Sequence, residues 1–269
     1  MIKGFRPIHY KTGLFFIKKI KGVVWITLLL LLMGFFHKAA PPADARMIIH
    51  FRAFVQGEPL QMNKKYRNRF GEIFGISRFR FYAGKMAPIY MDAAFKTNIN
   101  SSYHLIDFTD SASTYIELPV TAGNFNGIQF LLGVDSTDQT RGAQSGALDP
   151  VRGMFWTWNS GYMSFKMEGF SPASSQPAHM MAYHIGGYRY PYSTVWKIRI
   201  NTPNDEVFRI TKENKILVEV AMNLDYFFDG QTPLHIKDIS SCTTPGELAR
   251  KISENFIGTF TGLTLTPDP

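Results

Sequence analysis

Cysteine is almost missing from this chain: 269 residues contain one, Cys242. An internal disulfide framework is therefore excluded, and the fold must be held by burial. Cys242 has no catalytic signature around it, and a lone cysteine of this kind behaves as a small apolar filler. The common catalytic motifs are missing too. There is no Gly-x-Ser-x-Gly, no His-Glu-x-x-His and no phosphate-cradling glycine loop, so nothing local argues for a nucleophile with its base or for paired carboxylates. The chain is expected not to be an enzyme. Long apolar runs are scarce as well. The one uncharged stretch of note, Val23–Phe36, has 14 residues, short of the roughly 20 that a spanning helix needs.

That stretch has another use. Lys3, Arg6, Lys11, Lys18, Lys19 and Lys21 precede it, and Ala43-Asp-Ala45 follows a short Pro-containing segment. Basic, apolar and small-residue regions in this order form a secretory signal peptide. Residues 1–45 are expected to be removed, leaving residues 46–269 as one β domain in the periplasm or secreted. No cysteine stands at the cleavage site to carry a lipid. The leader also accounts for most of the charge. The whole chain has 29 Lys+Arg against 21 Asp+Glu; without the first 45 residues the balance is 22 against 20. A net charge of +2 with no basic run excludes nucleic acid as a partner.

What the remaining sequence has is short β-type runs between Gly, Pro, Asn, Asp and Ser clusters, the pattern of a sandwich or barrel. Strands are expected at Met47–Val55, around Arg78–Tyr82, at Tyr103–Phe108, Thr114–Leu118 and Gly127–Leu132. Others follow at Met154–Trp158, Tyr162–Glu168, His179–Ile185, Thr194–Asn201, Glu206–Thr211 and Ile216–Ala221. The turns at Asp110–Ser113 and Glu213-Asn214 read as hairpins. Thr244-Pro-Gly-Glu247 reads as a capping box opening one short C-terminal helix. The fold class is all-β, an antiparallel sandwich or barrel-like domain with that helix.

Candidate chemistry is sparse. The domain's histidines are His50, His104, His179, His184 and His235, and Met154, Met163, Met167, Met180 and Met181 lie among them. Imidazole and thioether suit copper, sulfur favouring Cu(I), although methionine also fills cores with no ligand in view. His179 and His184 fall on opposite strand faces, so a site must be assembled from different strands. The oxygen-rich loop Asp135–Asp149 lacks EF-hand spacing and reads as a solvated loop. Trp156 and Trp158, two apart, share a strand face with Met154, as core packing or as an aromatic platform.

A string of motifs carries a resemblance. Gly133-Val-Asp-Ser, Gly146-Ala-Leu-Asp-Pro150, Gly153-Met-Phe-Trp-Thr-Trp-Asn-Ser-Gly-Tyr162, Lys166-Met-Glu-Gly169 and Tyr183-His-Ile-Gly-Gly187 resemble, in order and spacing, the MbnP-like copper-binding domain family associated with methanobactin. Gly57-Glu-Pro-Leu60, Arg80-Phe-Tyr82 and Tyr103-His-Leu-Ile-Asp107 fit as well. The resemblance implies an exported β-sandwich-like protein that binds copper, in acquisition or handling. It also implies a tryptophan oxidised to kynurenine by a di-haem enzyme of the MauG type, and an outer-membrane transporter as a further partner. Carried over, Trp156 or Trp158 is the modification candidate, His184 the first ligand candidate, His104 the second and His50 the third. Two departures stand out. Methanotroph-type relatives have Asn-His where this chain has Gln139-Thr140, and some relatives have histidine where it has Ala53. Either His50 substitutes from the other face of its strand, or the branch has kept the fold and lost the metal. The rival class is an interaction module that binds a protein or glycan through the Trp156/Trp158 face.

Overall fold

A computed structural model describes residues 44–92, 102–156 and 160–267. The expected leader up to residue 43 lies outside them, as does Trp158. Strands dominate. In chain order they are β1 (Ala45–Val55), β2 (Glu58–Pro59), β3 (Tyr66–Arg67), β4 (Ile73–Tyr90), β5 (Tyr103–Asp107), β6 (Tyr115–Val120) and β7 (Gly123–Leu132). After these come β8 (Met163–Phe170), β9 (Met180–Gly186), β10 (Trp196–Asn201), β11 (Phe208–Ile210), β12 (Ile216–Asn223), β13 (Ser241–Cys242) and β14 (Phe260–Pro267). Helices are α1 (Ser136–Gln139), α2 (Asp225–Phe228) and α3 (Glu247–Ile257). None of the described helices is long and apolar enough to cross a membrane.

Two sheets result. The smaller runs β14-β12-β1-β2, with β6 also on β1; the larger runs β10-β7-β4-β8-β9-β13, with β11 on β7 and both β3 and β5 on β4. The all-β sandwich expectation holds, with two parallel pairs, β1 with β12 and β9 with β13, among antiparallel ones. Strict alternation builds the interior. Met47, Ile49, Phe51, Ala53 and Val55 of β1 point inward, as period-2 geometry requires. They meet the inner face of the larger sheet, where Phe51 stands edge-on to Phe81 and Phe130 at 5.2 and 5.5 Å. Helix α3 adds Ala249, Ile252 and Phe256 to this core, an i, i+3, i+7 stripe. Phe256 stacks on Phe165 of β8 at 4.0 Å.

Several local expectations are corrected. β5 pairs with β4 and β6 with β1, so the two strands flanking Asp110–Ser113 belong to different sheets and form no hairpin. The same holds across Glu213-Asn214, where β11 joins β7 and β12 joins β1. In both places turn residues are present, but the chain crosses from sheet to sheet, a choice made by long-range pairing. Met154–Trp156 is not a strand: Phe155 makes only an isolated bridge to Tyr162. Helix α3 begins at Glu247, but its N-cap is Gly246 and no side chain caps it, because the Pro245-Gly246 turn leaves Thr244 two residues too early. The closing strand β14 had no sequence counterpart.

The domain starts at the end of the expected leader. Ala45 is buried and pairs with Val120, and the Asp44 carboxylate accepts from the Ala122 N–H at 2.9 Å.

Candidate functional site on the outer face of the large sheet

Cross-strand partners in a sheet share a face. Arg78 lies opposite Glu168, Arg80 opposite Lys166, and Lys166 opposite His184, while the intervening Phe79, Phe81, Phe165 and Met167 enter the core. Arg78, Arg80, Lys166, Glu168 and His184 thus stand together on the outer face. Glu168 is their centre. Its Oε1 lies 2.8 Å from His184 Nε2 and 3.1 Å from Lys166 Nζ, and its Oε2 accepts from Arg78 Nη1 at 3.1 Å. Burial pushes the Glu168 carboxyl up, but its bonds to Lys166 and His184 prevail and hold it below the usual carboxylate range. An ionised carboxylate only accepts hydrogen bonds, so Nε2 of His184 carries the proton and Nδ1 keeps its lone pair. Burial is the main reason that the His184 pKa is lowered, with the Glu168 bond opposing it. The imidazole is therefore neutral near pH 7.

Beside this charged group, on the same face, is a second apolar cluster. Tyr82, Val134, Leu148, Met154, Tyr162 and Met163 form it, with Phe155 and Trp156 packed against them. The segment after β7 folds over the sheet to build it. Asp135 caps α1 by accepting from the Asp138 N–H, and α1 delivers Gln139 into the interior, 2% exposed. Gln139 Oε1 accepts from the Tyr162 N–H at 2.6 Å, and its Nε2 donates to the carbonyls of Val134 and Tyr162 at 3.1 and 3.3 Å. The expected solvated loop is thus fastened to the sheet at its first turn. Backbone bonds from Trp156 N to Gly161 O (3.0 Å) and Met163 N to Met154 O (2.9 Å) close the segment that carries Trp156.

The Trp156 ring rests on Gly186. A Cβ at that glycine would meet Trp156 Cζ3 at 2.8 Å, Tyr162 O at 2.9 Å and Met163 Cα at 3.0 Å. His184 is two residues away on the same strand face. Trp156 and His184, singled out separately in the sequence, therefore lie on the same face of β9.

The other two candidate histidines stand elsewhere. His104 pairs with Ala83 on the core face of β5, and its Nε2 is buried without a hydrogen-bond partner; burial lowers its pKa. His50 lies on the outer face of the smaller sheet, stacked on Tyr115 at 3.8 Å with Nδ1 3.5 Å from Glu219 Oε1. Burial lowers its pKa, against the pull of Glu219. His184, His104 and His50 thus occupy three different surfaces. Among the described residues no group of three or more His, Cys, Asp and Glu side chains is placed to hold a metal ion. His179 precedes β9 in a turn, its Nδ1 3.1 Å from the Ser174 carbonyl.

Glu168, Lys166 and Gln139 had not been singled out as parts of a site. Lys166-x-Glu168 and Arg78-x-Arg80 did place their charges on one face of each strand, but only the pairing of β4, β8 and β9 brings Arg78, Lys166 and His184 to one carboxylate, while Arg80 pairs with Asp107.

The comparisons with known proteins agree with this fold. The sequence model of the MbnP family matches residues 44–244. Among solved structures, MbnP from Methylosinus trichosporium superposes with a TM-score of 0.52 at 13% identity, covering 83% of this chain and 99% of that one. No curated protein matches. With the family model spanning most of the sandwich, the chain belongs to the MbnP family.

Proposed function

We propose that this protein is an exported copper-binding member of the family, acting in copper acquisition or handling in the periplasm or outside the cell, and not as an enzyme. One observation carries the reading: His184 donates its Nε2–H to Glu168 on the strand face where Trp156 rests, leaving the lone pair on Nδ1. Metal-ligating histidines commonly donate their other ring N–H to a carboxylate, which fixes the ring and its tautomer. The donor set tests the fit. His184 has the form of a ligand, whereas His104 and His50 face other surfaces and do not join it, so a three-histidine site does not fit the described residues. Copper, when bound, would supply a redox-active, electrophilic ion; the chain supplies an oriented imidazole and an aromatic wall. The finer reading adds oxidation of Trp156 or Trp158 to kynurenine by a MauG-type di-haem enzyme, and delivery to or from an outer-membrane transporter.

The test is a copper titration of the purified protein and of His184→Ala. Stoichiometric uptake that weakens in the variant supports the reading, and equal binding by both removes His184 from the site. The mass of Trp-containing peptides after co-expression with a di-haem enzyme checks the modification. The N-terminal sequence of exported protein checks the leader, with Arg46 as the expected first residue.

An interaction module is the second reading, favoured by one feature. Tyr190 is 95% and Tyr192 44% exposed, and with Tyr188 and Pro245 they line a recess beside Ser160, next to the Trp156 segment. Loss of pull-down of a protein or glycan in Tyr190→Ala, with copper uptake unchanged, would favour it.

A further inference from the structure

We propose that the outer edge of β10 is a docking site for an extended segment of a partner protein, one that alternates apolar and acidic residues and joins the large sheet as a further antiparallel strand. This surface is separate from the Trp156 patch, since β7, β4 and β8 stand between β10 and β9 in the sheet. The inference does not depend on the copper reading.

The hydrogen-bonding phase of β10 shows which groups are free. β10 ends the large sheet and is paired with β7, from Trp196 opposite Leu132 to Asn201 opposite Gly127. Just beyond the last pair, the Thr202 N–H donates to Asn126 O at 2.8 Å. Along an antiparallel ladder, residues alternate between turning both polar backbone groups to the partner and turning both away. Ile200 and Ile198 share the phase of Thr202 and face β7. Lys197 and Arg199 therefore turn their N–H and C=O outward, and among the described residues no hydrogen bond reaches those groups. Such an unpaired row is a template for another chain.

The side chains along the edge define what can pair there. Lys197–Ile200 line a groove of about 480 Å³, together with Tyr226 of α2, Ile257 at the end of α3 and Phe260 at the start of β14. Ile198 and Ile200 turn inward and are each 8% exposed, whereas Lys197 and Arg199 are exposed on the opposite face. An added strand continues this alternation. Its inward residues would meet Ile198, Ile200, Ile257 and Phe260, so they must be apolar. Its outward residues would lie opposite Lys197 and Arg199. Neither basic group is in an ion pair among the described residues, Arg199 only donating to Asn201 Oδ1 at 3.3 Å. Glu254, which also lines the groove, is held by Arg250 at 2.9 Å. Opposite charges across strands stabilise pairing and like charges oppose it, so the outward residues are acidic. The same rule disfavours a second copy of this chain, because two β10 edges paired about a two-fold axis would set basic residues opposite basic residues. Main-chain bonds would supply the affinity, and the alternate side chains the choice of partner.

The test is residue-resolved amide exchange and NMR titration of the purified protein with the capped peptide Val-Glu-Val-Glu-Val. In the free protein the amides of Lys197 and Arg199 should exchange faster than those of Ile198 and Ile200, and the peptide should protect them. In the antiparallel pairing the glutamates oppose Lys197 and Arg199 and turn their N–H groups toward β10. N-methylation of the glutamates should therefore abolish binding, while N-methylation of the valines, whose amides face away, should leave it. Lys197→Glu/Arg199→Glu changes only exposed groups, its melting curve checks the fold, and it should weaken binding by about tenfold. Absence of binding, or binding that survives glutamate methylation or the charge reversal, overturns the proposal. Equal protection of all four amides in the free protein shows the edge already covered and also overturns it. Protection that grows with protein concentration would assign the edge to a second copy instead.

Discussion

Gly186→Ala tests the seating of Trp156 on β9 most directly. The glycine has no positive-φ requirement, so alanine brings no backbone strain of the left-handed kind, and its only effect is one methyl group. That methyl would meet Tyr162 O at 2.9 Å and Met163 Cα at 3.0 Å, both backbone atoms of the paired strand region, and Trp156 Cζ3 at 2.8 Å. Backbone atoms in a paired region yield little, so the indole must lift or the strands must part. Overpacking of this kind costs about 1–3 kcal/mol. For a domain of this size each kcal/mol lowers Tm by about 2–4 °C, giving an expected drop of roughly 2–12 °C. Trp156 emission should shift to the red as the ring moves toward water. Gly262→Ala in β14 is the control, since nothing lies within 4 Å of its added methyl. Measured by thermal melting and fluorescence, a Gly186→Ala protein that melts and emits like the parent would refute the packing of Trp156 on Gly186, and with it the neighbourhood of Trp156 and His184.

Gln139→Ala removes one acceptor and two donated bonds from a buried position, leaving the Tyr162 N–H and two carbonyls without partners. A buried group left unsatisfied costs about 1–3 kcal/mol, and amide exchange should accelerate in residues 134–162 before it does in β1 or β12. His104→Leu should raise Tm by a few degrees, because it replaces a half-buried imidazole whose buried Nε2 has no hydrogen-bond partner by an apolar group; a fall in Tm would show that the ring has an unrecognised partner. Acid should destabilise the fold in two stages. His184, His50 and His104 all have lowered pKa values, burial being the main cause, so as pH falls below about 6.5 the unfolded state takes up protons first and stability declines. Glu168, held below its ordinary value of 4.5, contributes stability above that pH that is lost as pH falls through its folded value. Denaturant melts between pH 7.5 and 4 read the first stage, and a flat profile would contradict it.

Why the sequence disclosed some of this and concealed the rest follows from the range of the forces involved. Alternation along Met47–Val55 and Arg78–Tyr82 is local, so strand character and the inward residues could be read directly. The Thr244-Pro-Gly-Glu247 signal located α3 to the residue, although Gly246 rather than Thr244 caps it. Pairing is not local. Asp110–Ser113 and Glu213-Asn214 have turn chemistry that serves a hairpin and a sheet-to-sheet crossing equally, and which one forms depends on whether β6 and β12 gain more beside β1 than beside their sequence neighbours. β1 is where they gain more: its inward residues bury completely only when β12 and β6 flank it.

The candidate site obeys the same logic. His184 and Trp156 could be named from motifs, but what brings them to one face of β9 is a glycine whose role is to be empty. Glu168 could not be ranked among the acidic residues until β4 and β9 were known to flank β8. What sequence reading treated as a list of histidines resolves in the fold into one oriented imidazole and two that face elsewhere. The donor that survives this sorting is a single imidazole, its Nε2 tied to Glu168 on the strand face where the indole rests. Whether copper uptake depends on His184 is therefore a sharper question about this branch of the family than whether it has kept enough histidines.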